Sequence, residues 1–196
     1  GGSNDDRAQQ LINTSDGGLA VIGYTKSNDG DVTRNAGDRD YWIVKLDSNG
    51  NLSWQQSFGY LGRDFGTCVT ETKDGGFLIA GELDVTSSGG QGNSKSSRTL
   101  HAGGDFWAIK LNKSGTKEWS KYYGGSFSDT PYGVVEMPNG NFIITGTSDS
   151  SDVDITDNKG TYDVWAVQIT SKGTLVWRKN FGLSLIHISE PTRHTR

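Results

Sequence analysis

DYWIVKLDSNGNLSW, residues 40–54, recurs as DFWAIKLNKSGTKEW, residues 105–119, and as DVWAVQITSKGTLVW, residues 163–177. Each copy opens on Asp, carries Trp two residues later, turns at a Gly and closes on a second Trp twelve residues after the first. All six tryptophans of the 196-residue chain fall in these three pairs. A period of this size marks a tandem array whose units cannot bury their own faces and must stack.

The likeness extends on either side. Residues 1–58 and 124–181 align without a gap at a constant offset of 123, so that Gly1-Gly2-Ser3 meets Gly124-Gly125-Ser126 and Asp6 meets Asp129. The middle copy begins at Gly59 and holds seven extra residues between Gly81 and Asp105. The units are therefore 1–58, 59–123 and 124–182.

Four strands are expected in each. In the first copy they are Arg7–Thr14, Leu19–Thr25, Tyr41–Leu46 and Leu52–Phe58. The turns Asp16-Gly17-Gly18, Asp74-Gly75-Gly76 and Asn139-Gly140-Asn141 have the composition of tight hairpins. No stretch keeps the i, i+3, i+4, i+7 apolar spacing of a capped helix, so helix should be scarce. Phe77-Leu78-Ile79-Ala80 and Phe142-Ile143-Ile144 are unbroken apolar runs, as expected of strands covered on both faces. Tandem four-stranded antiparallel sheets of this kind are propeller blades. The expected fold is all-β: three blades of an incomplete propeller, an open arc, since rings usually need four to eight blades.

A meander places the short hairpins on one side and the long loops Lys26–Arg39, Glu82–Gly104 and Asp149–Tyr162 on the other, together with the Gly-rich linkers. Loops of differing length on a fixed scaffold are the expected seat of binding. Tyr60 and Phe127, borne by linkers on that side, are the candidate ligand contacts. Asn28-Asp29-Gly30-Asp31 aligns with Ser151-Asp152-Val153-Asp154. The paired carboxylates Asp29 with Asp31, and Asp152 with Asp154, are candidate calcium ligands, with turn capping as the alternative. No other cofactor is implied. Asp40, Asp105 and Asp163, and likewise Asp6, Asp64 and Asp129, recur in every copy and read as structural.

Composition excludes other classes. The chain carries 19 basic and 23 acidic residues, net −4, with no basic run, which argues against nucleic acid. No apolar stretch is long enough to span a membrane. Gly-x-Ser-x-Gly, His-Glu-x-x-His, P-loop and dinucleotide motifs are missing. Cys68, the single cysteine, reads as a small, half-buried strand residue. Leu183–Arg196 breaks the repeat and reads as translated sequencing adapter, so it is set aside as foreign, with His187 and His194. The chain is accordingly expected to be a piece of a longer array.

Together, Gly-Gly-Ser-x-x-Asp, Asp-Gly-Gly before an apolar strand, Asp-x-Trp-x-x-Lys-Leu and Gly-x-x-x-Trp resemble the bacterial SBBP-type β-propeller repeat over residues 1–182. Lys45-Leu46 and Lys110-Leu111 complete the third element of that likeness, and Gln168-Ile169 departs from it. The resemblance implies a large secreted or cell-surface protein. The expected function is a non-catalytic binding or scaffold module, with a protein or carbohydrate ligand on the long-loop face and neighbouring blades as further partners. A polysaccharide-active envelope enzyme is the alternative, since propellers host many activities.

Overall fold

The computed structural model describes residues 1–92 and 101–182. The supposed adapter segment lies outside the described residues, as does part of the longest loop. Three four-stranded antiparallel sheets follow one another along the chain, each in sequential order. Blade 1 comprises β1 (Asp6–Asn13), β2 (Leu19–Thr25), β3 (Asp40–Leu46) and β4 (Leu52–Phe58). Blade 2 comprises β5 (Phe65–Glu71), β6 (Phe77–Asp84), β7 (Gly104–Leu111) and β8 (Lys117–Tyr123). Blade 3 comprises β9 (Asp129–Glu136), β10 (Phe142–Ser148), β11 (Asp163–Ile169) and β12 (Leu175–Phe181). In blade 1 the first and third strands begin one residue earlier than expected, at the repeated Asp. One short helix, α1 (Val85–Ser88), occupies the inserted loop, with Asp84 as its N-cap.

The register repeats with the sequence. Gly23 pairs with Trp42, Gly81 with Trp107 and Gly146 with Trp165, each between the second and third strands of its blade. The first strand bulges in all three blades beside this glycine. Backbones of the first strands, β1, β5 and β9, approach one another from blade to blade, whereas the fourth strands diverge. This is a fan whose axis lies on the first-strand side.

Two cores lie between the blades. The first joins Ala20, Ile22, Tyr41 and Ile43 of blade 1 to Ile79, Trp107 and Ile109 of blade 2. The second joins Leu78, Ala80, Phe106 and Ala108 of blade 2 to Ile144, Trp165 and Val167 of blade 3. Blade 2 is thus covered on both faces, and β7 is buried along its whole length. As an open arc requires, the end blades each leave one face uncovered among the described residues: Trp42 and Val44 are half-buried and Val164 is exposed. Cys68 is fully buried in the second core rather than half-buried. Its strand position points into a covered face.

Glycine makes the close packing possible. A side chain at Gly81 would stand 2.7 Å from the Tyr41 hydroxyl, and one at Gly146 would stand 2.8 Å from Phe106 Cζ. Each aromatic therefore enters a socket floored by the next blade's glycine and walled by its Trp. Ring centroids are 4.9 Å apart for Tyr41 and Trp107 and 4.6 Å apart for Phe106 and Trp165. The Tyr41 hydroxyl donates to the Trp107 carbonyl at 3.1 Å.

The Lys-Leu element has a local cause. Lys45 Nζ donates to Asp16 and to the Leu46 carbonyl, and Lys110 Nζ donates to Asp74 and to the Leu111 carbonyl. Both lysines are almost fully buried. Each fastens the Asp-Gly-Gly hairpin to the third strand of its own blade. Blade 3 has Asn139 in the turn and Gln168 in the strand, so the carboxylate and the cation are lost together.

Candidate functional site on the long-loop rim

The linkers and the long loops are latched together on one rim by carboxylates. In the linkers, the backbone N–H groups of Gly2, Tyr60 and Gly125 donate to Asp6, Asp64 and Asp129, at 2.7, 2.7 and 2.8 Å. Three repeat-equivalent bonds account for the recurrence of these acids, since each satisfies a donor at the corner where one blade hands over to the next. Burial pushes Asp64 up to about 7 and Asp129 up to about 6, against the lowering effect of these same hydrogen bonds.

The third-strand acids are each held through one carboxylate oxygen, in parallel fashion. Asp40 accepts from the Ala36 N–H at 2.9 Å and Asp163 from the Lys159 N–H at 2.8 Å, four residues upstream in both cases. In blade 2 the residue four positions upstream is His101, and its side chain takes over: Nδ1 lies 2.5 Å from Asp105 Oδ2. Asp105 Oδ1 has no partner among the described residues and faces Gly124, where any Cβ would come within 2.5 Å of it. Burial raises the Asp105 pKa. Burial also opposes the His101 cation, yet the hydrogen bond and charge of Asp105 outweigh it and raise the imidazole.

His101 was not among the residues that sequence reasoning singled out. The signal was present in its spacing to Asp105, because that upstream position serves the same Asp in every copy. His101 also stacks edge-on against Tyr122, with centroids 4.9 Å apart. Together with Thr86, Gly89, Gly90 and Ala102 these two rings line a cavity of about 250 Å³ at the foot of α1.

Phe127 stands exposed on the rim, and its carbonyl lies against Gly103, so it flanks the segment that carries His101. Tyr60 is placed differently. Its ring packs on Trp107 at 5.7 Å, half-buried at the margin of the first core. Tyr60 replaces the glycine found at the same point of the other two linkers, where Ser27 or Ser150 stands too close for a side chain.

The four candidate calcium ligands all face the linkers. Asp29 accepts from the Ser3 N–H at 2.8 Å, and Asp152 from the Ser126 N–H at 2.9 Å. Asp31 pairs with the Gly1 amine at 2.8 Å, and Asp154 accepts from the Gly124 N–H at 3.3 Å. The hydrogen bond from Ser3 lowers the Asp29 pKa. Among the described residues, no group of three or more His, Cys, Asp or Glu side chains is placed to hold a metal ion. Nor is any helix among them long and apolar enough to cross a membrane.

The tryptophans serve packing. Trp107 Nε1 donates to the Gly92 carbonyl at 2.9 Å, and Trp119 Nε1 reaches the Ser171 carbonyl of the next blade at 3.1 Å. Trp54 packs edge-on against Phe77 across the first interface. No protein-family model matches the chain, and no curated protein sequence matches it.

Proposed function

We propose that the chain is a non-catalytic β-propeller repeat module of an extracellular or cell-surface protein, and that it binds a protein or carbohydrate ligand on its long-loop rim. The observation that carries this reading is the cavity lined by His101 and Tyr122, on the same rim as the exposed Phe127. A concave site of this size offers an aromatic wall and an imidazole, with backbone groups of the Gly89-Gly90 turn along one side. These are the elements that orient a small polar ligand segment. Two of the acids beside it, Asp105 and Asp129, are fully buried and bonded within the corner. A two-carboxylate glycosidase would need its acids open to the substrate. The extracellular setting rests on the resemblance to SBBP-type repeats.

The test is a glycan and peptide array probed with the full chain, followed by titration calorimetry of any hit. Phe127→Ala is expected to weaken binding about tenfold, a change of roughly 1.4 kcal/mol, without lowering thermal stability. Turnover of an arrayed glycan that disappears on a rim Asp→Asn change would replace the binding reading with the enzyme reading.

A further inference from the structure

The two interfaces inside the chain are built from the same repeat positions, and the two outer faces carry those positions uncovered by any other described residue. On blade 1, Val21, Trp42 and Val44 correspond to Ile79, Trp107 and Ile109 of blade 2 and to Ile144, Trp165 and Val167 of blade 3. The latter six are buried, whereas the three in blade 1 are half-exposed. A cavity of about 340 Å³ lies over them, floored by Gly23. That is the socket which Tyr41 fills at Gly81 and Phe106 fills at Gly146.

The matching surface stands on blade 3. Val135, Val164 and Phe181, 53, 52 and 58% exposed, occupy the positions of Ile12, Tyr41 and Phe58, which pack into the first interface. Tyr132, 63% exposed, occupies the position of Thr67, whose hydroxyl reaches across the second interface to the Pro131 carbonyl. The outer faces are thus the two halves of an interface that the chain already builds twice.

We infer that a second copy of this chain docks its blade 3 face onto the blade 1 face of the first, and that the reciprocal contact closes the pair into a six-bladed ring. A head-to-tail contact closes into a ring when its rotation permits and otherwise grows into a filament. Six blades fall within the range in which such rings close. The new interface differs from the internal ones at several points, among them Val164 where Tyr41 and Phe106 fill their sockets and Thr145 where Ile22 and Ala80 pack. It is the weakest of the three contacts, and the dimer is concentration-dependent.

Sedimentation velocity of the full chain from about 1 to 100 µM tests this. The expected species at high concentration has twice the 21.2 kDa chain mass. Val164→Tyr restores the missing aromatic and is expected to tighten the dimer about tenfold. Val164→Asp, a change at an exposed site, is expected to leave a folded monomer with an unchanged circular dichroism spectrum. A monomer throughout the range overturns the inference, as does a dimer indifferent to both substitutions. Open-ended oligomers overturn the closed ring.

Discussion

Phe106→Ala should uncouple blade 3 from the rest of the chain. The ring is fully buried, 4.6 Å from Trp165 and against the backbone of Gly146. Burying a Phe side chain contributes about 2–3 kcal/mol. The void left by its removal adds roughly 24 cal/mol per Å³ where the neighbours do not collapse. The summed loss is about 3–5 kcal/mol, a large part of the ~5–15 kcal/mol that holds a domain folded. In a linear array each unit is stabilised by its nearest neighbours, so the loss should fall on the second interface. The assay is urea unfolding combined with amide hydrogen exchange. Amides of β10 and β11 should exchange faster while those of β2 and β3 keep their protection. Phe106→Leu should lose about 1 kcal/mol with the same distribution. A loss below about 1 kcal/mol for Phe106→Ala, or one spread evenly over the three blades, would refute the socket as the coupling element.

Three other outcomes follow from the buried titratable groups. The carboxyls of Asp64 and Asp129, at about 7 and about 6, keep their protons in the fold at pH values where the unfolded chain releases them. Their stabilisation is present below the ordinary carboxylate value of about 4 and is lost as pH rises to neutrality. His101, also raised, acts in the same direction, so the melting temperature at pH 5 should exceed that at pH 8. Differential scanning fluorimetry across this range, flattened by Asp64→Asn, checks the sign. Lys110→Met removes the cation that bonds both oxygens of Asp74. It should raise the Asp74 carboxyl from about 2 towards its ordinary value by NMR titration, and lower stability by about 1–2 kcal/mol. Cys68, buried and pushed up to about 12, should react with a thiol reagent only after denaturation. Fast labelling of the native chain would contradict its place in the second core.

Legibility in the sequence followed locality. Hairpins such as Asp16-Gly17-Gly18 and the alternation of apolar strands with turns act over a few residues, so strand boundaries came out within one residue. The linker acids Asp6, Asp64 and Asp129 were legible as structural because each bonds to backbone four residues away. His101 escaped notice because its partner Asp105 follows a loop that differs in every blade, which hid an equivalence resting on spacing alone. Tyr60 looked like a free rim aromatic, but its ring belongs to Trp107, which lies far along the chain.

From the sequence alone came the number of blades, the order of their strands and the side on which the long loops gather. The six tryptophans counted the repeats, because a repeated sequence folds into a repeated local unit. The tertiary structure decided what each repeated position does. Trp107 and Trp42 occupy the same place in their copies, yet one is buried in a core and the other walls an open cavity. A strand determines which way its side chains point, and only the neighbouring sheet determines what they meet.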